Sequence, residues 1–599
     1  MRFRELAAGY DRLDATTKRL EMRSILVDLI RPLNGPELAD VLFLSQGVLR
    51  PEYEGLELGV AHSLARRALA SAVTMDEAVI AELGRVSGDL GTTAAELLSR
   101  AARSDDATPL EVREVYDRLT ELARSHGSGS QEVKVSVLTD LLRRASPLEA
   151  KYLLRFVLGT LRVGVREMSI LDALASAFAP DEPEARERIE AAFNLTSDLG
   201  AIGTALAGGG LPALAEIHLE VGRPIRPMLA ERAKSLEELL DRMDGRAALE
   251  YKYDGLRLQA HVAHDGTVRL FSRRLEEVSA QFPDLAQALP AALRRRPAIL
   301  EGECVSVDPE SGTIRPFQDV ARRRGRTHGL DQAQASTPVV LFAFDLLLLG
   351  EERIYDRPFP ERRAALAELL LPSERIRLAE ERVVSTAEEA GQFFDEVLGQ
   401  GAEGILAKSV AQESRYRPGA RGFWWIKYKR DYVGALADSI DGVVVGAFHG
   451  RGRRGGRYGA LLLAVFNPKR GVYESFTKVG SGFDDATLEA LPRRLAKWAV
   501  ESPRTDVDTG IPPDQWFRPG LVIEVKGAEL TVSPVHRAGI GIVGADAGLA
   551  LRFPRFTGRY REDKGPTEAT TTEELVELYR IETERAAGGR RGARVRHKV

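Results

Sequence analysis

One cysteine, Cys304, is the only thiol in this sequence of 599 residues. A single thiol excludes disulfides within the chain and any zinc site built from several cysteines. The sequence has no run of about 20 apolar residues, so it predicts no membrane-spanning segment. Residues 1–24 are charged throughout and lack the apolar core of a signal peptide, and we therefore expect a cytoplasmic location.

The sequence also has no excess of basic residues. Its formal net charge is -4, which by itself does not indicate a polyanionic partner. Arginines are nevertheless clustered at 294–296, 322–326, 451–457 and within 590–599. Each cluster fits either a solvated surface or a local phosphate-binding patch, and the sequence leaves both interpretations open.

Hydrophobic spacing divides the chain into four segments. The first has apolar residues at helical intervals and predicts an all-α domain. The second begins with an extended, proline-containing connector and alternates short strands with helices, which predicts an α+β domain. The third predicts a small β-barrel of the OB type, and the fourth, rich in Gly and Arg, predicts a disordered basic tail. The predicted boundaries are 1–220, 221–431, 432–585 and 586–599.

One helix start in the first segment is marked especially clearly. Ser146, Pro147 and Glu149 have the residue types and spacing of an N-cap, a first helical position and a third helical position. The Ser and Glu side chains of such a box bind each other's backbone N–H groups. We therefore expect a helix to begin at Pro147.

The α+β segment contains a lysine in a position suited to a nucleophile. Lys252 ends a predicted strand and is followed by a tight turn at Asp254 and Gly255. A lysine amine has an ordinary pKa of about 10.4, so it must lose a proton before it attacks phosphorus. Burial, a metal or a cation such as Arg257 would lower that pKa. The same residues also fit a surface lysine in a hairpin.

Later strands supply other groups that nucleotide transfer requires. Alternation puts Glu301 and Glu303 on one strand face, where buried carboxylates need a cation or a metal. Phe342 and Phe344 share a face of another strand and can either stack on a purine or belong to the core. Further candidates are Glu403 beside Lys408, Arg421 in a Gly-rich turn, and Lys427 and Lys429 on one strand face with Trp425.

In this order, these segments resemble the nucleotidyltransferase motifs of ATP-dependent DNA ligases of the archaeal and eukaryotic type. The resembling segments are 252–255 with Arg257, then 272–274, 301–303, 344–345, 403–405, 425–429, 552–556 and 561–564. Residues 146–152, 161–165 and 193–200 resemble the helical DNA-binding domain of the same ligases. The resemblance covers nearly the whole chain up to about residue 585. Gly558 and Tyr560 depart from it, because a tighter aliphatic run is expected there.

The resemblance implies a fold and a role for each candidate. It implies an α+β nucleotidyltransferase domain of the ATP-grasp-like adenylation type between a helical DNA-binding domain and an OB-fold domain. Lys252 would attack the α-phosphate of ATP and carry AMP. The other implied roles are Glu250 on the adenine amino group, Phe344 stacked on the ring, Arg257 and Arg273 on ribose or phosphate, Arg421, Lys427 and Lys429 on phosphates, Glu303 and Glu403 on ribose or Mg²⁺, and Arg561, Asp563 and Lys564 on the leaving pyrophosphate.

The implied partner is nicked double-stranded DNA, held mainly through its phosphates, and the implied cofactors are ATP and Mg²⁺. We expect a monomer that is associated with the nucleoid and not with a membrane. The C-terminal domain is expected to swing about a hinge at 429–432, with the loop 451–457 near the DNA backbone. Arg162 is a candidate DNA contact.

Several alternatives remain open on sequence alone. An RNA ligase or an mRNA-capping guanylyltransferase also uses a lysine nucleophile, but the large helical segment resembles neither. An NAD⁺-dependent ligase resembles a chain with a four-cysteine zinc module, which one cysteine cannot form. A non-catalytic nick- or end-binding module would not need every catalytic position filled. The sequence does not decide whether the chain serves replication, repair or recombination, or whether it binds a sliding clamp. It also leaves open whether ADP or GTP can replace ATP and whether the metal is Mg²⁺ or Mn²⁺.

Overall fold

The computed structural model describes residues 1–100, 108–161, 163–308, 314–315, 317–324, 337–429, 439–450, 458–502 and 504–581. The chain divides into two compact units. The first consists of Met1–Glu231, Arg246–Val383 and Lys408–Ile426, and the second of Arg232–Gly245, Val384–Ala407 and Lys427–Val599. Within the described ranges, no helix has both the length and the apolar character needed to cross a bilayer.

The N-terminal part of the first unit is helical, as predicted. Its core is built from apolar side chains at helical spacing, such as Leu6, Leu38, Leu69, Leu138 and Leu153. The helices are Phe3–Asp14, Arg19–Ile30, Gly35–Gln46, His62–Val73, Glu77–Ser87, Leu90–Arg100, Val112–Arg124, Ser130–Arg144, Pro147–Val157, Glu167–Phe178, Ala185–Thr196 and Leu199–Gly209.

The helix predicted to begin at Pro147 does so, and it spans Pro147–Val157. The Glu149 backbone N–H donates to Ser146 Oγ at 3.3 Å, and the Ser146 backbone N–H donates to Glu149 Oε2 at 2.6 Å. These two bonds satisfy N–H groups that a helix leaves without partners at its start.

The connector after the helical part is extended and is held by side chains. The Gly222 N–H donates to His261 Nδ1 at 3.0 Å, and the Ile225 N–H donates to Gln259 Oε1 at 2.9 Å. The Met228 N–H donates to the Tyr416 hydroxyl at 2.9 Å. Burial lowers the pKa of His261 to about 3, so the ring stays neutral and its Nδ1 can accept.

A five-stranded sheet follows in the first unit, with the order Val268–Ser272, Leu256–Val262, Ala298–Ser306, Val339–Leu349 and Ile376–Leu378. Neighbours are antiparallel except for the last pair. Helices Pro283–Ala288, Phe317–Arg324 and Phe359–Leu369 belong to the same unit. The apolar side of the sheet includes Leu258, Leu300 and Leu341, all fully buried.

This sheet has a bulge where strict alternation was predicted. Glu303 pairs with Phe342, whereas Glu301, only two residues away, pairs with Asp345. The strand Val339–Leu349 therefore has one extra residue in this interval, which changes the direction of the following side chains. Phe342 and Phe344 consequently have different surroundings instead of the shared face that alternation predicts.

The second unit is rich in β-structure. Its main sheet has the order Ala499–Val500, Gln515–Phe517, Ile440–His449, Tyr458–Asn467, Val472–Val479 and Val507–Asp508, and Val522–Lys526 pairs with both Ile440–His449 and Arg555–Tyr560. A separate pair is Glu529–Ser533 with Gly548–Arg552, and the helices are Leu236–Asp241, Ala387–Gly399 and Asp485–Leu495. The predicted succession of a helical, a mixed α/β and a β-rich region is thus confirmed.

The departure at Gly558 has a structural reason. Val525 pairs with Phe556 and Ile523 pairs with Tyr560. The strand Arg555–Tyr560 therefore advances four residues where its partner Val522–Lys526 advances two. Gly558 lies inside this irregularity with φ +93°, a conformation that side chains disfavour. The Tyr560 ring packs against Phe556 at 5.1 Å between centroids. A bulge replaces the expected aliphatic run.

Candidate active site

Five further strands are Leu229–Arg232, Ala247–Lys252, Glu381–Val384, Gly404–Ser409 and Arg421–Lys429, and they hold five of the predicted site residues, including Lys252. Lys252 is the last residue of its strand, and the turn after it leads into Leu256–Val262. This is the position that the sequence predicts for the candidate nucleophile.

Gly255 allows the turn after Lys252 to lie directly against the strand Ala298–Ser306. A Cβ at this position would lie 2.6 Å from Val305 Cγ1 and even nearer to the carbonyl oxygen of Cys304. Backbone cannot move aside as a flexible side chain can. The glycine of the motif is therefore required by close packing.

We expect Gly255→Ala to destabilise the first unit by about 1–3 kcal/mol, because the added methyl group would force the two strands apart. The same movement would displace Lys252, so the initial covalent labelling by nucleotide should be lost as well. Thermal unfolding and labelling with ATP would measure the two effects. Gly245→Ala is not a suitable control because its φ is +76°, whereas Gly399→Ala is, because its Cβ would meet nothing within 4 Å. An unchanged melting temperature and full labelling in Gly255→Ala would contradict this account.

Glu250, two residues before Lys252, is a buried carboxylate with only 1% of its surface exposed. Its Oε2 forms an ion pair with Lys408 Nζ at 2.8 Å, and Arg363 Nη1 lies 3.8 Å from its Oε1. Burial raises the pKa of Glu250, and the two cations oppose that shift. Among the described residues, Oε1 has no hydrogen-bond partner. This oxygen is therefore available to a donor from a ligand.

Lys408 is fully buried, and the sequence indicates no role for it beyond its place beside Glu403. Its Nζ donates to the carbonyl oxygen of Phe344 at 2.9 Å, in addition to the pair with Glu250. Three rings surround the ammonium, with centroids at 4.8 Å for Phe344, 4.6 Å for Phe359 and 4.7 Å for Trp425. A lysine within an otherwise apolar strand was the available signal, since such a residue needs an anion.

Arg257 is held by a second buried carboxylate. Its Nη2 donates to Glu301 Oε2 at 2.7 Å, and its Nη1 donates to the carbonyl oxygen of Met228 at 2.8 Å. The Tyr416 hydroxyl donates to the same Glu301 oxygen at 2.8 Å. Arg257 thus joins the connector, the central sheet and the site. The sequence did not identify Tyr416 or the partnership with Glu301.

The two candidate stacking rings differ in exposure. Phe344 is 7% exposed and packs edge-to-face against Trp425, with centroids 6.1 Å apart. The guanidinium of Arg257 lies 5.4 Å from the Phe344 centroid. Phe342 is half-buried and stacks on Tyr253 at 4.5 Å. Phe344 is therefore the ring that contacts Lys408, the ion-pair partner of Glu250, whereas Phe342 packs on Tyr253.

The remaining candidates of the first unit lie at its surface or edge. Arg273 is exposed in the turn after Val268–Ser272, and Arg421 is exposed at the start of Arg421–Lys429. Glu303 is half-buried and lies opposite Arg257 in the strand pairing. Because Arg273 and Arg421 are exposed, their guanidinium groups are accessible to a ligand at the surface of the unit.

In the second unit, two candidates are bound to each other. Lys429 Nζ lies 2.6 Å from Glu403 Oε2, while Lys427 is half-buried on the same strand as Lys429. Across the described residues, no group of three or more His, Cys, Asp or Glu side chains converges as a metal site. One or two carboxylates suffice for Mg²⁺ when nucleotide phosphates supply other ligands, so this donor set fits a metal that arrives with a nucleotide.

The C-terminal candidates form a cluster around an aspartate that the sequence did not identify. Arg561 Nη1 and Lys564 Nζ both donate to Asp441 Oδ2 at 2.6 Å. Arg561 also donates to both Asp563 oxygens, at 2.9 and 2.8 Å, and this pairing holds the pKa of Asp563 well below its usual value. Asp441 is the second residue of a buried strand, Ile440–His449, where a carboxylate requires a cation.

Several predictions fall outside the described residues. These are Arg162, most of the hinge at 429–432, the loop 451–457 and the tail 586–599.

Comparison with known proteins assigns the chain to a family. Residues 2–175 match the family model described as DNA ligase N terminus, 227–429 match ATP dependent DNA ligase domain, and 454–564 match ATP dependent DNA ligase C terminal region. The chain therefore belongs to the ATP-dependent DNA ligase family, whose general activity is the sealing of nicks.

Relatives match over nearly their full length. A protein named DNA ligase from Pyrobaculum islandicum is 43% identical over 585 residues, which is 97% of this chain and 98% of that protein. A protein named Probable DNA ligase from Aquifex aeolicus is 42% identical over 582 residues, covering 97% and 99%. The solved structure named Pmar-Lig_Pre has a TM-score of 0.55 at 17% identity and covers 93% of this chain and 99% of that chain, which is a likeness of fold alone.

Proposed function

We propose that this chain seals single-strand nicks in duplex DNA through AMP carried on Lys252. The Lys252 amine would attack the α-phosphorus of ATP, form a P–N bond and release pyrophosphate. The AMP would pass to the 5′-phosphate at the nick, which breaks the P–N bond and forms a P–O–P bond. The 3′-hydroxyl would then attack that phosphate and release AMP. The observation that carries this proposal is the position of Lys252 at a strand end, two residues from a buried carboxylate that retains an available oxygen.

Adenine would be recognised by its edge and by its face. Glu250 Oε1 is a suitable acceptor for the exocyclic amino group, because it is buried and has no hydrogen-bond partner among the described residues. Phe344 would stack on the ring. The shared contact of Glu250 and Phe344 with Lys408 supports this pairing of roles.

The phosphates would be held by the cations that flank the nucleotide. Arg273, Arg421, Lys427 and Lys429 are proposed for ribose or phosphate contacts, with Lys427 on the α-phosphate. Arg257 is fixed by Glu301, so its orientation would not have to be established when a ligand binds. Arg561 and Lys564 would orient the leaving pyrophosphate, which requires the C-terminal region to move relative to the nucleotide during the cycle.

Mg²⁺ would be bound through Glu303 or Glu403 together with the nucleotide phosphates. When bound, the ion would neutralise phosphate charge. Glu403 would have to exchange its ion pair with Lys429 for such a contact, which would also release that lysine toward a phosphate.

The partner would be nicked duplex DNA, held by the helical region 1–220 through phosphates and with little base preference. We propose that the chain acts as a monomer associated with the nucleoid, in DNA replication, repair or recombination.

Incubation of the full chain with α-labelled ATP and Mg²⁺ tests the proposal. A labelled protein with an acid-stable, hydroxylamine-labile AMP on the peptide containing Lys252 is expected, and EDTA should prevent it. Parallel incubations with GTP and NAD⁺ distinguish a capping-type enzyme and an NAD⁺-dependent ligase. Absence of labelling with ATP, or labelling only with GTP or NAD⁺, would refute the proposal.

A further inference from the structure

A single buried ammonium joins the two groups proposed to recognise the base. Lys408 Nζ lies 2.8 Å from Glu250 Oε2 and donates to the Phe344 carbonyl oxygen at 2.9 Å. Burial lowers the pKa of Lys408, whereas the carboxylate, the carbonyl oxygen and the three surrounding rings favour its charged form. Its position thus fixes both the edge acceptor and the stacking ring.

We propose that Lys408 determines base selectivity by keeping Glu250 ionised, so that the site accepts a 6-aminopurine and rejects a 6-oxopurine. This inference rests on the proposed function, in which Glu250 faces the base. An ionised carboxylate has no hydrogen to donate, so it accepts from the amino group of adenine and repels the carbonyl oxygen of hypoxanthine. A protonated Glu250 could donate to that oxygen, and the preference would weaken.

The surroundings of Glu250 make Lys408 the decisive charge. Burial alone raises the pKa of Glu250, and Lys408 provides the strongest opposing effect. Arg363 is the next cation, but it lies at 3.8 Å and also faces Glu381, whose own charge disfavours ionisation of Glu250.

Asp345 is another charged residue near Lys408, and its charge is balanced by an arginine. It is bound by Arg362 Nε at 2.8 Å and Nη2 at 2.9 Å. Neither Asp345 nor Glu381 can supply the positive charge that Glu250 would lose with Lys408. Removing the ammonium would therefore raise the pKa of the buried Glu250 carboxyl further and shift it toward its neutral form.

The test is self-labelling of the full chain by ATP and by inosine triphosphate, which differs from ATP at the 6-position. We expect Lys408→Met to lower the ratio of the two kcat/KM values about 10- to 100-fold, the scale of one lost charge-assisted hydrogen bond. The ratio should rise again with increasing pH in this variant, as Glu250 loses its proton, and stay flat in the wild-type chain. A purely structural role would slow both nucleotides equally.

Lys134→Met is the matched control. Lys134 is also buried, and its Nζ donates to the carbonyl oxygens of Leu58 and Gly59 at 2.8 and 3.2 Å, within the helical part. This variant loses a buried ammonium and should keep the wild-type nucleotide ratio.

Glu250→Gln provides a second measurement if Lys408→Met does not fold. An amide can both donate and accept, so the ratio should fall and show no dependence on pH. A wild-type ratio in folded Lys408→Met at every pH, or in Glu250→Gln, overturns the assignment. Failure of the wild-type chain to label with ATP would refute the proposed function instead.

Discussion

Lys252→Ala is expected to abolish covalent labelling by ATP and to reduce nick sealing from ATP by roughly 10⁴-fold or more, the scale seen when a nucleophile is removed. No other group can form the P–N bond if this amine carries the AMP. Sealing of a nick whose 5′-phosphate already bears AMP bypasses that bond and should survive. Intact-mass spectrometry and a nicked-duplex assay would measure the two activities.

Lys18→Ala is a matched control, because it removes an exposed lysine before Arg19–Ile30 in the helical part. It should be labelled by ATP as the wild-type chain is. An undiminished adenylyl mass on Lys252→Ala would show that another residue carries the nucleotide.

The double substitution Arg561→Ala with Lys564→Ala should reduce self-labelling by about 10²- to 10³-fold, the effect of removing donors aimed at developing charge. Pyrophosphate leaves only in the first step, so sealing of a pre-adenylated nick should change little. Single-turnover rates of the separate steps would measure this difference.

Point substitutions are preferable here to removal of residues 561–599. Leu575 and Val576 lie in the core of the second unit, so truncation would also disturb packing. Arg559→Ala is a suitable control because Arg559 is an exposed arginine close in sequence to Arg561, and its ion pair with Glu524 is long, at 3.7 Å. Equal losses in both steps would argue against a role confined to pyrophosphate departure.

The sequence predicted the larger features because they depend on local periodicity. Helical spacing, the capping residues at Ser146 and Glu149, and the strand that ends at Lys252 are all determined within a few residues. The order of motifs along the chain was sufficient to indicate the family, which the comparisons confirm.

The partners of the charged residues were harder to predict, because they come from distant parts of the chain. Glu250 meets Lys408, Arg257 meets Tyr416, and Arg561 meets Asp441 across more than a hundred residues each. No local pattern specifies such pairs. The bulge beside Phe344 was missed for a related reason, since it is a property of two paired strands and not of one.

The connector between the helical part and the central sheet has a consequence for how this chain can diverge. Its backbone N–H groups are satisfied by His261, Gln259 and Tyr416, and its Met228 carbonyl by Arg257. A linker of this kind is fixed to the residues beside it and is not a tether of adjustable length. Changes in the path of the helical region and changes at Arg257 must therefore be compatible with each other, and neither can be optimised alone.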